Sequence, residues 1–298
     1  MPKLVWMNGE IFPLEEAKVN VADHAHLYGD GLFEGIRIYN RKVFKLDEHL
    51  TRLYQGANYL NFQMKISKSE LCNIVLETCF KADLDNGYIR LNVTRGTGLG
   101  LDPKGIDNTP NVMVMVSTLA LYPPESYEKG LTVVTVPQRV LPADALDPRV
   151  KCIGTYAANI LAKLVANRAG AGEGLMLTEQ GHLAECTGDN IFLVQDKEIL
   201  TPHPSCGILK GITRNTVIEL AQEAGYNVKE TFLTPFDVFC SNEAFLTGTA
   251  AEIIPMVELD GRPIETGHPG PITKHLMTLF KEHTALGTSF EPTKQTCC

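Results

Sequence analysis

The feature that most constrains this chain is its punctuation. Two blocks of mixed strand-like and helix-like periodicity flank a charged segment with two prolines, LYPPESYEKG, at 121–130. In the first block, KLVWMNG (3–9) reads as a strand ending in an Asn-Gly turn. LDEHLTRLYQGANYL (46–60) sets Leu50, Leu53, Ala57 and Leu60 at helical spacing behind Asp47 as N-cap. A second helix is expected over 67–82, and GYIRLNVTRG (87–96) and NVMVMVSTLAL (111–121) have the β-branched and apolar content of strands. The second block opens on a strand, LTVVTVPQ (131–138). It continues through a helix at 156–170, a hairpin about Gln180-Gly181 and a strand pair in NIFLVQDKEILTP, and closes with helices at 211–226 and 272–283. The Thr/Cys tail beyond is expected to fray. Alternation of this kind predicts an α/β or α+β class. The domains expected are 1–120, a linker at 121–130, and 131–298.

Composition narrows the function. A net charge of −8 opposes nucleic-acid binding, because a phosphate-binding surface needs an excess of Lys and Arg. No apolar run approaches the roughly 20 residues that span a bilayer, and the first residues meet a turn and acids too early for a secretion signal. The expectation is a cytoplasmic protein with no membrane partner. Eight cysteines are scattered without a CxxC, which reads as reduced thiols and not as zinc ligands. Asn92-Val93-Thr94 matches a glycosylation sequon but reads as strand sequence.

Several motifs fail on inspection. Asp23-His24-Ala25-His26 has two metal-capable histidines but no third ligand nearby, so a structured turn is expected and no metal. Gly96-Thr97-Gly98-Leu99-Gly100 follows a strand, but its spacing is GxGxG and Asp102-Pro103 stands where a dinucleotide-binding helix should open. No G-x-S-x-G elbow is present.

One constellation carries chemistry. Lys151 lies in DPRVKCIGTYAANIL among small and apolar residues, a setting that favours the free amine. Glu185 ends a predicted strand, where a carboxylate in low dielectric needs a cationic partner. HPSCGILKGITRNT (203–216) leads into a helix N-terminus at Gly211-Ile212-Thr213, and Thr247-Gly248-Thr249-Ala250-Ala251 offers a second turn of N–H donors. Both are the kind of place where a phosphate binds. Each feature alone also has an ordinary reading, as a surface lysine, a turn glutamate or a helix cap.

Together, in order and spacing, Lys151 with Tyr156, LAECTGDNIF, LKGITR and LTGTAAEIIP resemble the class IV (fold type IV) aminotransferases. DHAHLYGDGLFEGIRIY and EHLTRL upstream extend the likeness over nearly the whole chain. The resemblance implies a two-domain, D-amino-acid-aminotransferase-like fold and the cofactor pyridoxal 5′-phosphate. It implies that Lys151 holds the cofactor as an imine and moves the proton, and that Glu185 pairs with the pyridine nitrogen. Tyr156 would meet the phenolic oxygen and Leu209 the ring face. Arg52, Ile212, Thr213 and Thr249 would hold the phosphate. Cys152 and Cys186, beside Lys151 and Glu185, are expected to be small packing residues.

Within the family, YGDGLFEGIR and Tyr88-Ile89-Arg90 resemble the branched-chain pattern. Tyr28, Phe33, Gly35, Arg37, Tyr88 and Arg90 would line the substrate site, with Ala250 and Thr249 at the substrate carboxylate and Tyr122 closing over it. The D-amino-acid enzymes place an Arg and a His shortly after TRG, whereas this chain has TRGTGLGLDP with neither. The implied reaction moves the amino group of L-leucine, L-isoleucine or L-valine to 2-oxoglutarate through a pyridoxamine form. The alternatives are D-amino-acid or R-amine transamination, or the aminodeoxychorismate lyase reaction. The family also implies a homodimer or higher homo-oligomer.

Overall fold

Strand alternation is the first principle of both sheets in the computed structural model, which describes residues 4–107 and 109–291. Expectations for the chain beyond, including Cys297 and Cys298, lie outside the described residues. The chain begins with β1 (Leu4–Met7), β2 (Glu10–Pro13), α1 (His24–Tyr28), β3 (Gly31–Tyr39) and β4 (Lys42–Val43). It goes on through α2 (Leu46–Tyr59), α3 (Lys68–Ala82), β5 (Gly87–Thr94) and β6 (Val112–Ser117). The segment read as a linker carries a short helix, α4 (Pro124–Lys129), before β7 (Leu131–Arg139) and α5 (Tyr156–Arg168). Then come β8 (Glu173–Leu177), β9 (Leu183–Cys186), β10 (Asn190–Gln195), β11 (Glu198–Pro202), α6 (Ile212–Glu223) and β12 (Asn227–Thr231). The chain finishes with α7 (Pro235–Phe239), β13 (Glu243–Gly248), β14 (Glu252–Leu259), β15 (Arg262–Pro263), α8 (Pro271–His283) and β16 (Thr288–Ser289).

These elements form two units. The first takes the described residues of Met1–Leu119, Val150–Thr155 and Thr284–Cys298, and the second takes Ala120–Arg149 and Tyr156–His283. In the first unit the sheet runs β16-β4-β3-β5-β6-β1-β2, and its pairings are antiparallel. Period-two side chains give it an apolar face of Ile36, Ile38, Ile89, Leu91, Val93, Val114 and Val116, all buried. α2 brings Leu46, Leu50, Leu53 and Ala57 to the core, and α3 brings Leu71, Val75, Cys79 and Ala82. Each fully buried leucine contributes about 2–3 kcal/mol by leaving water. α3 starts on a capping box between Ser67 and Glu70, which satisfies donors at its first turn.

A late segment of chain is drawn into this unit. β4 pairs with β3 only at Ile38 and Tyr39, and Val150–Thr155 runs beside the other end of the same strand. Phe33 donates its N–H to Lys151 O at 3.1 Å, Ile153 to Gly31 O at 2.8 Å, and Gly154 to Gly29 O at 3.0 Å. The approach at Gly29 leaves no room for a side chain. A Cβ there would stand 2.5 Å from Gly154 Cα, and the residue has φ +72°.

The second unit has a nine-stranded sheet in the order β12-β11-β10-β13-β14-β7-β8-β9, with β15 on β14. β9 also pairs with β10 through one residue pair, Glu185 opposite Asn190, so the path from β10 round to β9 closes on itself. Leu175, Leu183, Ile191, Leu193, Leu246 and Ile254 fill the enclosed core. On the other face of β10 and β13, Phe192 and Phe245 stack at 4.9 Å, both fully buried. No helix among the described residues is long and apolar enough to cross a membrane.

Gly29→Ala is expected to cost about 2 kcal/mol or more, from left-handed strain and the backbone collision together. Gly9→Ala, at φ +108° with nothing within 4 Å of its Cβ, is the control and should cost less. Thermal melting of the two variants checks this.

Candidate functional site

The β3–β5 register sorts the predicted residues of the first unit by face. Phe33 pairs with Asn92, Gly35 with Arg90 and Arg37 with Tyr88, so these six positions share one face of the sheet. Gly35 makes room for Tyr88, because a Cβ at 35 would lie 2.2 Å from the Tyr88 hydroxyl oxygen. The Arg90 guanidinium lies 3.5 Å from the Phe33 ring centroid, and the Lys151 ammonium 4.6 Å from the same ring. Arg90 Nε also donates to Asn92 Oδ1 at 2.8 Å, and Arg37 Nη1 to Leu119 O at 3.4 Å. The result is an aromatic floor of Phe33 and Tyr88 with cations around it, the Tyr88 phenol lying over Gly35. Tyr28, at the end of α1, is exposed and packs against His24 at 4.7 Å with the rings tilted by 58°.

The opposite face of β3 carries a charge that the sequence reading passed over. Glu34 is completely buried and faces α2. Arg52 donates to both of its oxygens, Nε to Oε1 at 2.8 Å and Nη2 to Oε2 at 2.7 Å. His49 Nδ1 lies 2.8 Å from Oε2. Burial by itself would raise the Glu34 carboxyl, but the Arg52 charge and the hydrogen bonds from Arg52 and His49 outweigh it and hold the group at about 2. Burial pushes the His49 imidazole down from its ordinary value, against the pull of Glu34, and the charges of Arg52 and Lys151 push the same way as burial. Arg52, predicted as a phosphate ligand, is therefore aimed by a buried carboxylate. The signal was legible: an acid in the apolar strand GLFEGI needs a cation, and His49 and Arg52 sit three apart on a helix.

In the second unit, Glu185 meets the loop before α6. Leu209 N donates to Glu185 Oε2 at 2.9 Å and Asn190 Nδ2 donates to the same oxygen at 3.1 Å. α6 begins at Ile212 after an N-cap, Gly211, that offers no side-chain cap bond, with Thr213 buried in its first turn. Thr249 and Ala250 lie in the turn between β13 and β14, and Tyr156 opens α5. Tyr122 packs against the unit's core and donates its hydroxyl to Asp189 Oδ2 at 3.2 Å. Burial and the nearby Asp189 carboxylate push that hydroxyl's pKa well up, so it remains a donor. Cys186 is buried and its thiol is pushed well above the ordinary range by burial, as suits a packing residue.

The donors within each unit are of the kinds that pyridoxal phosphate calls for. In the second unit uncapped helix N–H groups and threonine hydroxyls match a phosphate and a held carboxylate matches a protonated ring nitrogen, while in the first an arginine matches a phosphate and a lysine amine an aldehyde. The Asp23–His26 motif is accounted for differently. Asp23 caps α1 and accepts from Thr94 Oγ1 and Asn111 Nδ2, while His24 is placed between Asp30 Oδ2 and Gly100 O. Among the described residues no group of three or more His, Cys, Asp or Glu could hold a metal.

The buried triad gives the fold an acid limit. Glu34 titrates lower in the folded chain than its ordinary 4.5, so the unfolded chain takes the proton first and stability falls as pH drops from about 4.5 towards about 2. His49, lowered from 6.5, begins the same trend below that pH. Glu34→Gln should cost on the order of 3 kcal/mol at pH 7, and its gap from the parent protein should shrink below pH 4.5. Denaturant melts of both proteins from pH 7 to pH 3 measure this.

Comparison with known proteins shows which family the chain resembles as a whole. The family model for amino-transferase class IV matches residues 31–259. The chain is 45% identical over 279 residues to a putative branched-chain-amino-acid aminotransferase of Methanocaldococcus jannaschii, covering 93% of this chain and 95% of that protein. It is 33% identical over 281 residues to the branched-chain-amino-acid aminotransferase of Escherichia coli K12, covering 93% and 91%. Among solved structures, the E. coli branched-chain amino acid aminotransferase superposes with a TM-score of 0.91 at 31% identity, covering 97% and 95%. The branched-chain amino acid aminotransferase of Thermobaculum terrenum, solved in its PLP-bound holo form, gives 0.86 at 29% identity, covering 95% and 94%. The expected fold type IV architecture is borne out, and this chain belongs to the class IV aminotransferases.

Proposed function

We propose that this protein transfers the amino group of L-leucine, L-isoleucine or L-valine to 2-oxoglutarate, with pyridoxal phosphate attached at Lys151. The observation that carries the reading is the sheet face where the Tyr88 phenol lies directly over Gly35, beside Phe33 with Arg90 stacked on it. An aliphatic side chain would lie on that aromatic surface, and hydrophobic contacts of this kind separate substrates one methylene apart by only about 1–3 kcal/mol. Breadth across the three donors follows. Arg90 and Arg37 would offer cations to the second carboxylate of 2-oxoglutarate.

When bound, pyridoxal phosphate supplies an electron sink, provided its ring nitrogen stays protonated. Glu185 would hold that proton in place with a carboxylate already oriented by Leu209 N and Asn190 Nδ2. Tyr156 would donate to the phenolic oxygen and Leu209 would pack on the ring. Thr213, the first N–H groups of α6 including Ile212, Thr249 and Arg52 would bind the phosphate. Lys151 Nζ would take the α-proton of the substrate and return it two atoms along, across the imine nitrogen, as a 1,3-shift requires. The Tyr88 hydroxyl and the Thr249-Ala250 backbone would bind the substrate carboxylate, with Tyr122, held by Asp189, over them. We read the protein as a cytoplasmic homodimer or higher homo-oligomer. Leu99 and Leu101, 77% and 76% exposed on one loop, support association.

Purified protein should be yellow, lose that colour on adding L-leucine and regain it with 2-oxoglutarate, and light scattering should give at least twice 32.8 kDa. Lys151→Ala should not transaminate, and full activity in that variant would end the reading. Gly35→Ala should push the Tyr88 phenol aside and lower kcat/KM for L-leucine on the order of 10- to 100-fold, with the melting temperature nearly unchanged. Steady-state kinetics on the three donors check it.

A further inference from the structure

Asn190 is buried at the single pairing that closes the sheet of the second unit. Its Nδ2 donates to Glu185 Oε2 at 3.1 Å and to Leu209 O at 3.0 Å, while Leu209 N donates back to the same carboxylate oxygen at 2.9 Å. The other end of the amide faces α6. A Cβ on Gly211, the N-cap of that helix, would stand 2.2 Å from Asn190 Oδ1, so the amide oxygen rests directly against the helix start. One side chain thus touches the acid of β9, the loop carrying Leu209 and the N-terminus of α6.

We propose that Asn190 is a positioning residue that fixes the spacing between the Glu185 carboxylate and the α6 N-terminus, and so fits both ends of the cofactor at once. This rests on the roles proposed above for Glu185 and α6. The chemistry calls for an amide. Its nitrogen has two donors for two acceptors and adds no charge beside Glu185. A leucine would leave a half-buried carboxylate oxygen and a carbonyl each with one donor fewer, and an aspartate would set a second carboxylate against the first.

The test is a double-mutant cycle read by cofactor retention, with no turnover involved. Parent protein, Asn190→Ala, Glu185→Gln and the double variant are dialysed to equilibrium against graded pyridoxal phosphate, and bound cofactor is read by absorbance across pH. Asn190→Ala should raise the half-saturating concentration about tenfold, equivalent to ~1.4 kcal/mol, and shift the pH dependence of the bound absorbance in the same sense as Glu185→Gln. In the Glu185→Gln background the same change should alter retention less than about twofold, because the two act as one unit. Full additivity, or an unchanged Asn190→Ala beside an affected Glu185→Gln, overturns the Asn190 proposal alone. An unaffected Glu185→Gln overturns the role of Glu185 and this proposal with it. Should Asn190→Ala lose the parent circular dichroism, Gly211→Ala, which presses the same amide from the helix side, takes its place in the cycle with the same expectations.

Discussion

The closing pair of the second unit's sheet, Glu185 against Asn190, joins architecture to chemistry. A carboxylate at the end of a strand in low dielectric is costly unless donors converge on it. Here the donors are a backbone N–H from Leu209 and the amide of the residue directly across the ladder. The strand pairing itself therefore brings a donor to the charge. The same amide bears on Gly211, so the carboxylate and the start of α6 cannot drift independently. Preorganisation of this kind lets donors act without reorganising when charge develops.

The first unit solves a similar problem with the opposite sign. Arg52 is a cation near the sheet, and its orientation comes from Glu34, buried without exposure between β3 and α2. His49 completes the carboxylate's partners. Such a triad is not a large net source of stability, because desolvation offsets much of the attraction, but removing one member leaves a stranded charge. Its value is direction. Lys151 is fixed by other means, through backbone pairing with Phe33 and the bare approach of Gly29 to Gly154.

Much of this is legible in the sequence. The segments 46–60, 67–82, 87–96 and 211–226 carried periodicities strong enough to give helices and strands close to those found. Glu34 also left a readable trace, an acid within an apolar strand, although its partners lay 15 and 18 residues away and no local pattern named them. Asn190 left less. An asparagine after Thr-Gly-Asp reads as turn chemistry, and only its place opposite Glu185 gives it a task.

By itself the sequence determined the element types, the net charge of −8, and the ordered motifs around Lys151, Tyr156, Glu185 and Thr213 by which the family is recognised. These are local properties, set by side-chain period, turn residues and spacing along the chain. Tertiary structure decided that 150–155 pairs with the far end of β3, that Gly35 lies against Tyr88, that Arg52 is aimed by Glu34, and that Asn190 closes a sheet. Each of these depends on register between segments distant in sequence. Register comes from burying whole faces together, a property that no single stretch of residues contains.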